Sequence, residues 1–290
     1  MTILLAVDSS SHAKHAVQMV KHLSGEMNLF ILYVVDVPAL KHAYLSSACS
    51  ESDVESYRKE IARLSQHILH DTRDELLPFA RKIQLIADNG DPAECIIQTA
   101  EEQRVDLILL GHRGMTGSAM FLLGGVSQKV ATYAPCSVLV CKEDYPALDR
   151  ILLAVDGSEA SSAAAQFLGK FPLKSPSHVM IEMVWAPPPS SLLASVAKSA
   201  CVAPNTASAK SQGETFLHKV AMGFQHNPYT VNYEWKCGDP PQVILESAIQ
   251  HEIQLIVVGA RGLKGMKRFL LGSVSQKILE HASCSVLIVR

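Results

Sequence analysis

The chain has 290 residues, of which 48% are apolar and 19% charged, and its formal net charge is −2. This near-neutral charge excludes the basic footprint of bulk nucleic-acid binding, and no apolar run approaches the ~18 residues of a membrane span. The seven cysteines form no C-x-x-C pair and the first residues match no export signal, so we expect a cytoplasmic protein in a reducing compartment.

Short apolar runs predict five strands in the first half of the chain, at 3–7, 30–35, 83–87, 107–110 and 137–141. Several of these runs are apolar throughout, which is typical of strands that are covered on both faces. Between the second and third runs, apolar residues recur at spacings of three and four, which predicts a long amphipathic helix within 51–79. Helix starts are predicted at Asp91-Pro92, where an acid precedes a proline, and at Ser9 or Ser10.

The second half predicts the same series of elements. Its apolar runs lie at 151–155, 179–184, 230–236, 255–258 and 285–289, and its helix starts at Ser158 and Asp239-Pro240. The run 230–236 alternates apolar and polar residues, which indicates a strand at the edge of a sheet. Strands that alternate with helices predict an α/β fold of two Rossmann-like, doubly wound domains, each a five-stranded parallel sheet with helices on both faces. We place these domains at 1–143 and 149–290, the size of common single domains.

Most motifs of the first half return in the second half at an offset of 148 residues. The segment ILLAVD at 3–8 returns at 151–156, GDP at 90–92 returns at 238–240, and LLGGVSQK at 122–129 returns as LLGSVSQK at 270–277. A repeat of this length indicates a duplicated domain and not the short unit of a solenoid. Two regions break the pattern. Residues 30–36 align best with 179–185 at an offset of 149, and 187–210 is a Pro-, Ala- and Ser-rich stretch that we expect to be partly loop.

The second half places glycines where predicted strands end and helices begin. Gly259 and Gly262 follow a strand, and after nine further residues Gly272-Ser273 opens a helix. Glycines in such positions let the backbone approach an anion and turn its N–H groups toward it. A helix start adds free N–H groups and the positive end of its dipole. This pattern predicts a site for a phosphate group.

Charged and hydroxyl side chains complete the pattern. We expect the hydroxyls of Ser273 and Ser275 to donate hydrogen bonds to phosphate oxygens. Four basic residues add positive charge between the glycines, namely Arg261, Lys264, Lys267 and Arg268. Asp156 ends the first predicted strand of this half, at the sheet edge where ligands bind in open α/β folds, and can accept from ribose hydroxyls. Together these residues predict a nucleotide site.

The spacing of Gly259, Gly262 and Gly272-Ser273 resembles the ATP-binding motif of universal stress proteins of the ATP-binding type. The segments ILLAVD, GDP and CSVLIV match that family's first strand, third helix and last strand, and the resemblance covers nearly the whole chain twice. The chain therefore resembles a tandem universal stress protein. The resemblance implies a strand order of 3-2-1-4-5 in each domain. It also implies ATP as the ligand, with AMP and ADP as alternatives, and Mg²⁺ accompanying the nucleotide.

The resemblance further implies partners and site residues. The family commonly dimerises through the last strand, so 137–141 and 285–289 could pair within one chain as a pseudo-dimer, and two chains could form a homodimer. In the second half, the resemblance implies an ATP site at Asp156, Met183, Gly259, Arg261, Gly262, Gly272, Ser273, Val274 and Ser275. In the first half, it implies a weaker site at Asp8, Val34, Gly111, Arg113, Gly114, Gly124, Gly125 and Ser127.

The two halves differ at a position expected to hold phosphate. Gly125 stands where the second half has Ser273, and between the first-half glycines only Arg113 is basic, apart from His112. A hydrogen bond to a charged group contributes roughly 1.5–3 kcal/mol, so losing the hydroxyl predicts about 10- to 100-fold weaker binding. We predict that the second half is the principal ATP site and that the first is weak or empty.

Structural roles stay open for several of these residues. The glycines could form tight turns, and the basic run could be a solvated helix face. Asp8 and Asp156 could simply cap the helices that follow them. Cys136 and Cys284 occupy equivalent points before the last strand of each half and are predicted to be small core residues.

The histidines permit two interpretations. His12 with His15, and His67 with His70, have the spacing of a metal-binding pair on one helix face. No acidic or cysteine partner falls at a recognisable spacing, so we predict surface histidines and no metal site.

Three functions stay open at this point. The favoured one is an ATP-binding regulatory protein of the stress response. A slow ATPase or phosphotransferase is the second, but the sequence has no G-x-x-x-x-G-K-[ST] loop and no evident base, so we predict no catalytic residues. The third is an interaction scaffold in which neither half binds nucleotide.

Overall fold

The computed structural model describes residues 1–36, 51–114, 123–174, 176–186, 206–225, 227–262 and 271–290, without the side chains of 51–58 and 206–207. The first half contains β1 (Thr2–Val7), α1 (Ser11–Lys21), β2 (Asn28–Asp36), α2 (Glu51–Leu76), β3 (Lys82–Gly90), α3 (Pro92–Glu102), β4 (Leu107–Gly111), α4 (Gly125–Tyr133) and β5 (Ser137–Cys141). The second half contains β6 (Arg150–Val155), α5 (Glu159–Lys170), β7 (Ser177–Trp185), α6 (Thr206–Met222), β8 (Tyr229–Cys237), α7 (Pro240–Gln250), β9 (Leu255–Gly259), α8 (Ser273–His281) and β10 (Ser285–Val289).

Local capping determines where several helices begin. Ser10 and Ser158 are the N-caps of α1 and α5, and each hydroxyl accepts a hydrogen bond from a backbone N–H three residues further on. Asp91 accepts from two N–H groups at the start of α3, at 2.9 and 3.1 Å. Asp239 is the N-cap of α7, although its side chain makes no capping hydrogen bond. The predicted helix starts are confirmed, with Ser10 and not Ser9 as the first cap.

The ten described strands form one sheet in the order β3-β2-β1-β4-β5-β10-β9-β6-β7-β8. Strands within each half pair in parallel, and β5 pairs antiparallel with β10, with Leu139 opposite Leu287. Strand β8 lies at an edge, as its alternating sequence predicts. The four strands around the centre, β4, β5, β9 and β10, are buried along their whole length, which explains their uniformly apolar sequences. The predicted α/β fold class is confirmed.

Two hydrophobic clusters continue through both halves of the molecule. On β1, Ile3 and Leu5 belong to one cluster and Leu4 to the other. Because side chains alternate between the two faces of a strand, the clusters lie on opposite faces of the sheet. Leu139 and Leu287, which face each other across the β5–β10 pair, belong to the same cluster. The central pairing therefore joins the cores of the two halves into continuous layers.

The residue after the last strand of each half reaches into the other half. Lys142 follows β5; its backbone N–H donates to Ser285 Oγ at 3.2 Å and its amine donates to carbonyls at the end of α8. Arg290 follows β10; its backbone N–H donates to Ser137 Oγ at 3.4 Å and its guanidinium donates to carbonyls at the end of α4. Lys142 and Arg290 are equivalent at the 148-residue offset, and so are Ser137 and Ser285. The junction between the halves therefore has approximate twofold symmetry.

The register of the sheet corrects one sequence alignment. Val7 pairs with Tyr33 on β2, and its counterpart Val155 pairs with Met183 on β7. Tyr33 and Met183 are therefore equivalent, at an offset of 150 and not the predicted 149. The prediction that made Val34 the counterpart of Met183 is wrong because the second half has two extra residues before β7.

Two of the predicted features lie partly or wholly outside the described residues. Of the stretch 187–210, residues 187–205 lie outside, and the description resumes at Thr206 with α6. The basic residues Lys264, Lys267 and Arg268 lie outside as well. Within the described part of the chain, every helix is too short or too polar to cross a membrane.

Candidate functional site

A cavity of about 530 Å³ opens in the first half where β1, β2 and β4 end. This is the edge at which doubly wound sheets bind ligands. Six of the eight residues predicted for this half line the cavity, namely Asp8, Val34, Gly111, Arg113, Gly114 and Ser127. Gly124 and Gly125 are not among its lining residues. Sequence reasoning missed most of the remaining wall, which includes Leu32, Tyr33, Val35, Ile61, Leu64, Ile96 and Val126.

In both halves, an aspartate at the end of the first strand lies against the second glycine of the loop. Asp8 Oδ1 accepts from the Ser10 N–H at 2.9 Å, and a Cβ on Gly114 would lie 2.9 Å from Asp8 Oδ2. In the second half, a Cβ on Gly262 would lie 2.6 Å from Asp156 Oδ2. The serines, and not the aspartates, are the N-caps of α1 and α5. The glycines therefore bring the loop backbone next to a carboxylate.

The first glycine of each loop is required by the close approach of a helix. A Cβ on Gly111 would lie 2.5 Å from the carbonyl oxygen of His12, and one on Gly259 would lie 2.6 Å from the carbonyl carbon of Ala160. Both neighbours are backbone atoms, so a side chain here would displace α1 or α5. These two glycines position the start of a helix against the end of a strand.

The helices α4 and α8 begin without a side-chain cap. Gly124 and Gly272 are their N-caps, and neither can supply a side-chain acceptor. Each of these glycines donates its own N–H to the loop after the strand, at 2.8 Å. The N–H groups of the first helical turn have no intrahelical partner and add to the positive end of the helix dipole. Both helix starts can therefore bind an anion.

Ser127 and Ser275 have a structural role that the sequence did not predict. Each buried hydroxyl donates at 2.7 Å to the carbonyl of the glycine that ends the preceding strand, Gly111 or Gly259. A hydroxyl has one proton to donate, so the expectation that the Ser275 hydroxyl donates to phosphate is wrong for this arrangement. The two bonds fix the starts of α4 and α8 against the sheet. Only the backbone N–H of Ser275 stays available to a ligand.

Arg113 places a positive charge at the wall of the first-half cavity. Its Nε atom is buried and has no hydrogen-bond partner in the described part of the chain. Buried donors without a partner are rare in native proteins, so this guanidinium is suited to an anionic ligand. Arg261 holds the same place in the loop of the second half.

Three histidines form a cluster beside the loop that follows β4. The rings of His12 and His112 lie 4.4 Å apart, and His15 lies 6.0 Å from His12 and 6.4 Å from His112. The Nδ1 atoms of His12 and His15 are buried and accept or donate no hydrogen bond among the described residues. His12 and His15 are half-buried, with their Nδ1 atoms inside, whereas the pair on α2 is exposed, as predicted for surface histidines.

The surroundings of His12 and His112 favour neutral imidazoles. Burial, and then the neighbouring His12, lower the pKa of His112 to about 4. Arg113 and Lys142 act in the same direction, while a hydrogen bond to the Cys141 carbonyl opposes them. Burial is also the largest cause that lowers the pKa of His12. Protonation of His12 or His112 therefore works against the folded state.

Acidification is expected to destabilise the protein through His112. Its folded-state pKa lies below the value of about 6.5 in an unfolded chain, so its contribution to stability is complete above pH 6.5 and is lost as the pH falls toward 4. We expect a loss of about 1–2 kcal/mol, because solvent reaches part of the ring. Urea unfolding between pH 7 and 4.5 measures it. His112→Ala, which installs the alanine that the second half has at the equivalent position (Ala260), should flatten this pH dependence of stability. The control His67→Ala should leave the dependence unchanged. An unaltered dependence in His112→Ala would contradict the assignment to His112.

The described residues that could bind a metal ion are not grouped together, and two of the cysteines lie in or against the core. Within the described ranges, no three His, Cys, Asp or Glu side chains are grouped so as to hold a metal ion. Cys284 is buried in the core and Cys136 packs against the same cluster, as predicted. Burial raises the pKa of Cys136 to about 12 and that of Cys284 to about 11, so both thiols stay protonated.

Comparison with known proteins identifies relatives of both halves. The model of the universal stress protein family matches residues 1–142 and again 147–290. A universal stress protein of Mycolicibacterium smegmatis is 25% identical over 301 residues, covering 99% of this chain and 96% of that protein. One from Bacillus subtilis is 29% identical over 144 residues, covering 48% of this chain and 97% of that protein. The solved structure of a universal stress protein from Archaeoglobus fulgidus covers 100% of this chain and 98% of that one, with a TM-score of 0.69 at 21% identity, and shares the fold.

Proposed function

The chain belongs to the universal stress protein family, and from that premise we propose that it is a regulatory protein that binds ATP, principally in its second half. One observation carries the proposal. In each half, an aspartate lies beside the second loop glycine, and the next helix begins with uncapped N–H groups. Asp156 would accept from the ribose hydroxyls, beside the backbone of Met183. The N–H groups at the start of α8, from Ser273 to Ser275, would hold phosphate.

The side chains of the two halves, and not their backbones, favour the second half as the principal nucleotide site. Ser273 is exposed at the first position of α8, where its hydroxyl can donate to a phosphate oxygen, whereas Gly125 offers no side chain. The sequence also places Lys264, Lys267 and Arg268 in the loop of this half. The first half keeps the same backbone arrangement and a cavity of about 530 Å³. We therefore propose a second, weaker nucleotide site there.

The proposal includes the setting in which the protein acts. The nucleotide would bring Mg²⁺, held mainly by phosphate oxygens and water. The antiparallel pairing of β5 with β10 supports an intramolecular pseudo-dimer; a homodimer of two chains stays a prediction of the family resemblance. The five cysteines among the described residues are free thiols, in keeping with a cytoplasmic location.

Exchanging the residue that differs between the halves tests this proposal. Ser273→Gly is expected to weaken binding of Mg-ATP about 10- to 100-fold, because one hydrogen bond to a charged group is lost. Gly125→Ser is the matched gain and should tighten the weaker site. Isothermal titration of the intact chain measures both affinities.

Two outcomes would overturn the assignment. The first is the absence of any heat of ATP binding to the wild-type chain. The second is a principal site that survives Ser273→Gly but is abolished by Gly114→Val, whose side chain would collide with the Asp8 carboxylate. That result would place the main site in the first half.

A further inference from the structure

The second half carries a buried carboxylate where the first half has a leucine. Leu32 on β2 pairs with Ala6, and Glu182 on β7 pairs with the equivalent Ala154. Leu32 is 1% exposed and Glu182 is 0% exposed, so the exchange lies in the interior. A charge in such a place requires hydrogen-bond partners, since it has lost its hydration.

Among the described residues, one of the two carboxylate oxygens of Glu182 has hydrogen-bond partners. The Oε2 atom accepts from Ser247 Oγ at 2.6 Å and from Lys236 Nζ at 2.8 Å. The Oε1 atom is buried and accepts no hydrogen bond from any group in the described part of the chain. Buried polar atoms are nearly always paired in native proteins. The unpaired oxygen therefore points to a donor outside the described residues, which a bound ligand can supply.

The position of Glu182 corresponds to the wall of a ligand cavity. Leu32 and Val35 both line the cavity of the first half, and the strand register makes Glu182 and Trp185 their counterparts. Trp185, three residues further along β7, lies on the opposite face of the sheet, where it stacks on Trp235 with the ring centroids 6.3 Å apart. A carboxylate oxygen accepts from the exocyclic amino group of a nucleobase. Glu182 by itself can therefore recognise a base that carries such a group.

We propose that Glu182 Oε1 accepts a hydrogen bond from the exocyclic amino group of adenine, which makes the second half selective for adenine nucleotides. The first half, with Leu32 at this position, lacks that selectivity. Lys236 and Ser247 act as positioning residues, because they hold Oε2 and leave Oε1 to the ligand. This inference rests on the proposed nucleotide site of the second half.

Tryptophan fluorescence can test the second half by itself. The chain contains two tryptophans, Trp185 and Trp235, and both belong to this half. We titrate the full chain with Mg-ATP and with the Mg complex of purine riboside triphosphate, which lacks only the amino group. The wild-type chain is expected to bind ATP about 10- to 100-fold more tightly than the analogue. Glu182→Leu, which installs the residue of the first half, should bring the two affinities together.

The ratio of the two affinities separates recognition from a structural role. A variant that is merely distorted would lose affinity for both nucleotides equally and keep the ratio, and that outcome overturns the inference. Glu182→Gln keeps the shape of the side chain and one carbonyl acceptor, so its ratio should lie between those of the wild type and Glu182→Leu, and it serves if the leucine variant fails to fold. Tighter binding of GTP than of ATP would also overturn the assignment of adenine. If neither nucleotide binds, the proposed function itself fails.

Discussion

Replacing Lys236 by methionine is expected to lower the free energy of unfolding by about 3–5 kcal/mol, as is usual when a buried charge loses its partner. Glu182 is fully buried, and the amine of Lys236 lies 2.8 Å from its Oε2 atom. Burial of the amine opposes its charged form, but hydrogen bonds and attraction from Glu182 and Glu234 outweigh it and raise the pKa of Lys236. The lysine is therefore charged at pH 7. The hydroxyl of Ser247 bonds to the same carboxylate oxygen and cannot replace that charge.

Removing the carboxylate instead of the amine, in Glu182→Leu, is expected to lower the free energy of unfolding far less. The side chain of Lys236 is 26% exposed and lies 3.2 Å from Glu234. In Glu182→Leu, the amine is therefore expected to keep both solvent and a partner. The double variant removes both charges from the interior, which is often neutral or stabilising. Urea denaturation of the two single variants and the double variant measures this asymmetry. Lys219→Met, at an exposed position of α6, is the control and should stay within about 0.5 kcal/mol of the wild type. Equal losses for both single variants would contradict the argument.

Features that depend on neighbouring residues could be predicted from the sequence. Strands β5 and β10 have the predicted bounds, 137–141 and 285–289, because an uninterrupted apolar run between turn residues forms a strand that is buried on both faces. The N-caps Ser10 and Asp91 likewise depend on hydrogen bonds to groups within three residues. The order of strands in the sheet depends on pairings between distant residues, and in the sequence analysis a strand order came only from the family resemblance.

Features that depend on distant residues escaped the sequence analysis. Similarity alone could not show that two extra residues precede β7, whereas strand pairing fixes the register. Glu182 interrupts an apolar run, and its partner Ser247 lies 65 residues further along the chain. The histidine cluster joins α1 to the loop after β4. One signal could have found it, since His12, His15 and His112 are all replaced by alanine in the second half.

The candidate site also combines features that depend on neighbouring residues with features that depend on distant ones. The glycines and helix starts could be predicted because spacing along the chain defines them. The direction of the Ser275 hydroxyl could not be predicted, because it depends on how α8 packs against β9. A hydroxyl next to a phosphate-binding motif can serve the ligand or the scaffold, and here it bonds to the Gly259 carbonyl. Such a choice is made by tertiary packing.

Replacing Lys142 by methionine is expected to lower the free energy of unfolding by about 2–4 kcal/mol, because two carbonyls at the end of α8 lose their donor. Lys142 is 6% exposed, and its amine donates to the carbonyl of Leu279 at 2.8 Å and to that of Ala282 at 2.5 Å. Burial lowers the pKa of Lys142 to about 8, so the amine is still charged at pH 7 and complements the negative end of the helix dipole. Methionine has a similar volume, so the loss reflects hydrogen bonds and not a cavity.

Arg290 makes the matching contact in the opposite direction. Its guanidinium donates to the carbonyls of Ala131 and Thr132, at 2.6 and 2.8 Å, at the end of α4. Its Nε atom is buried without a partner among the described residues. Because this buried donor is already unsatisfied, Arg290→Met should cost less than Lys142→Met, about 1–3 kcal/mol.

The two variants and their combination form a double-mutant cycle. The described contacts of Lys142 and Arg290 share no partner, so their effects should add within about 0.5 kcal/mol. Lys277→Met removes a charge from the exposed face of α8 and should change stability by no more than about 0.5 kcal/mol. Because Lys142 follows β5 and holds a helix of the other half, its loss should lower the hydrogen-exchange protection of both β5 and β10. Loss of protection confined to α8 would show that Lys142 caps a helix without coupling the two halves.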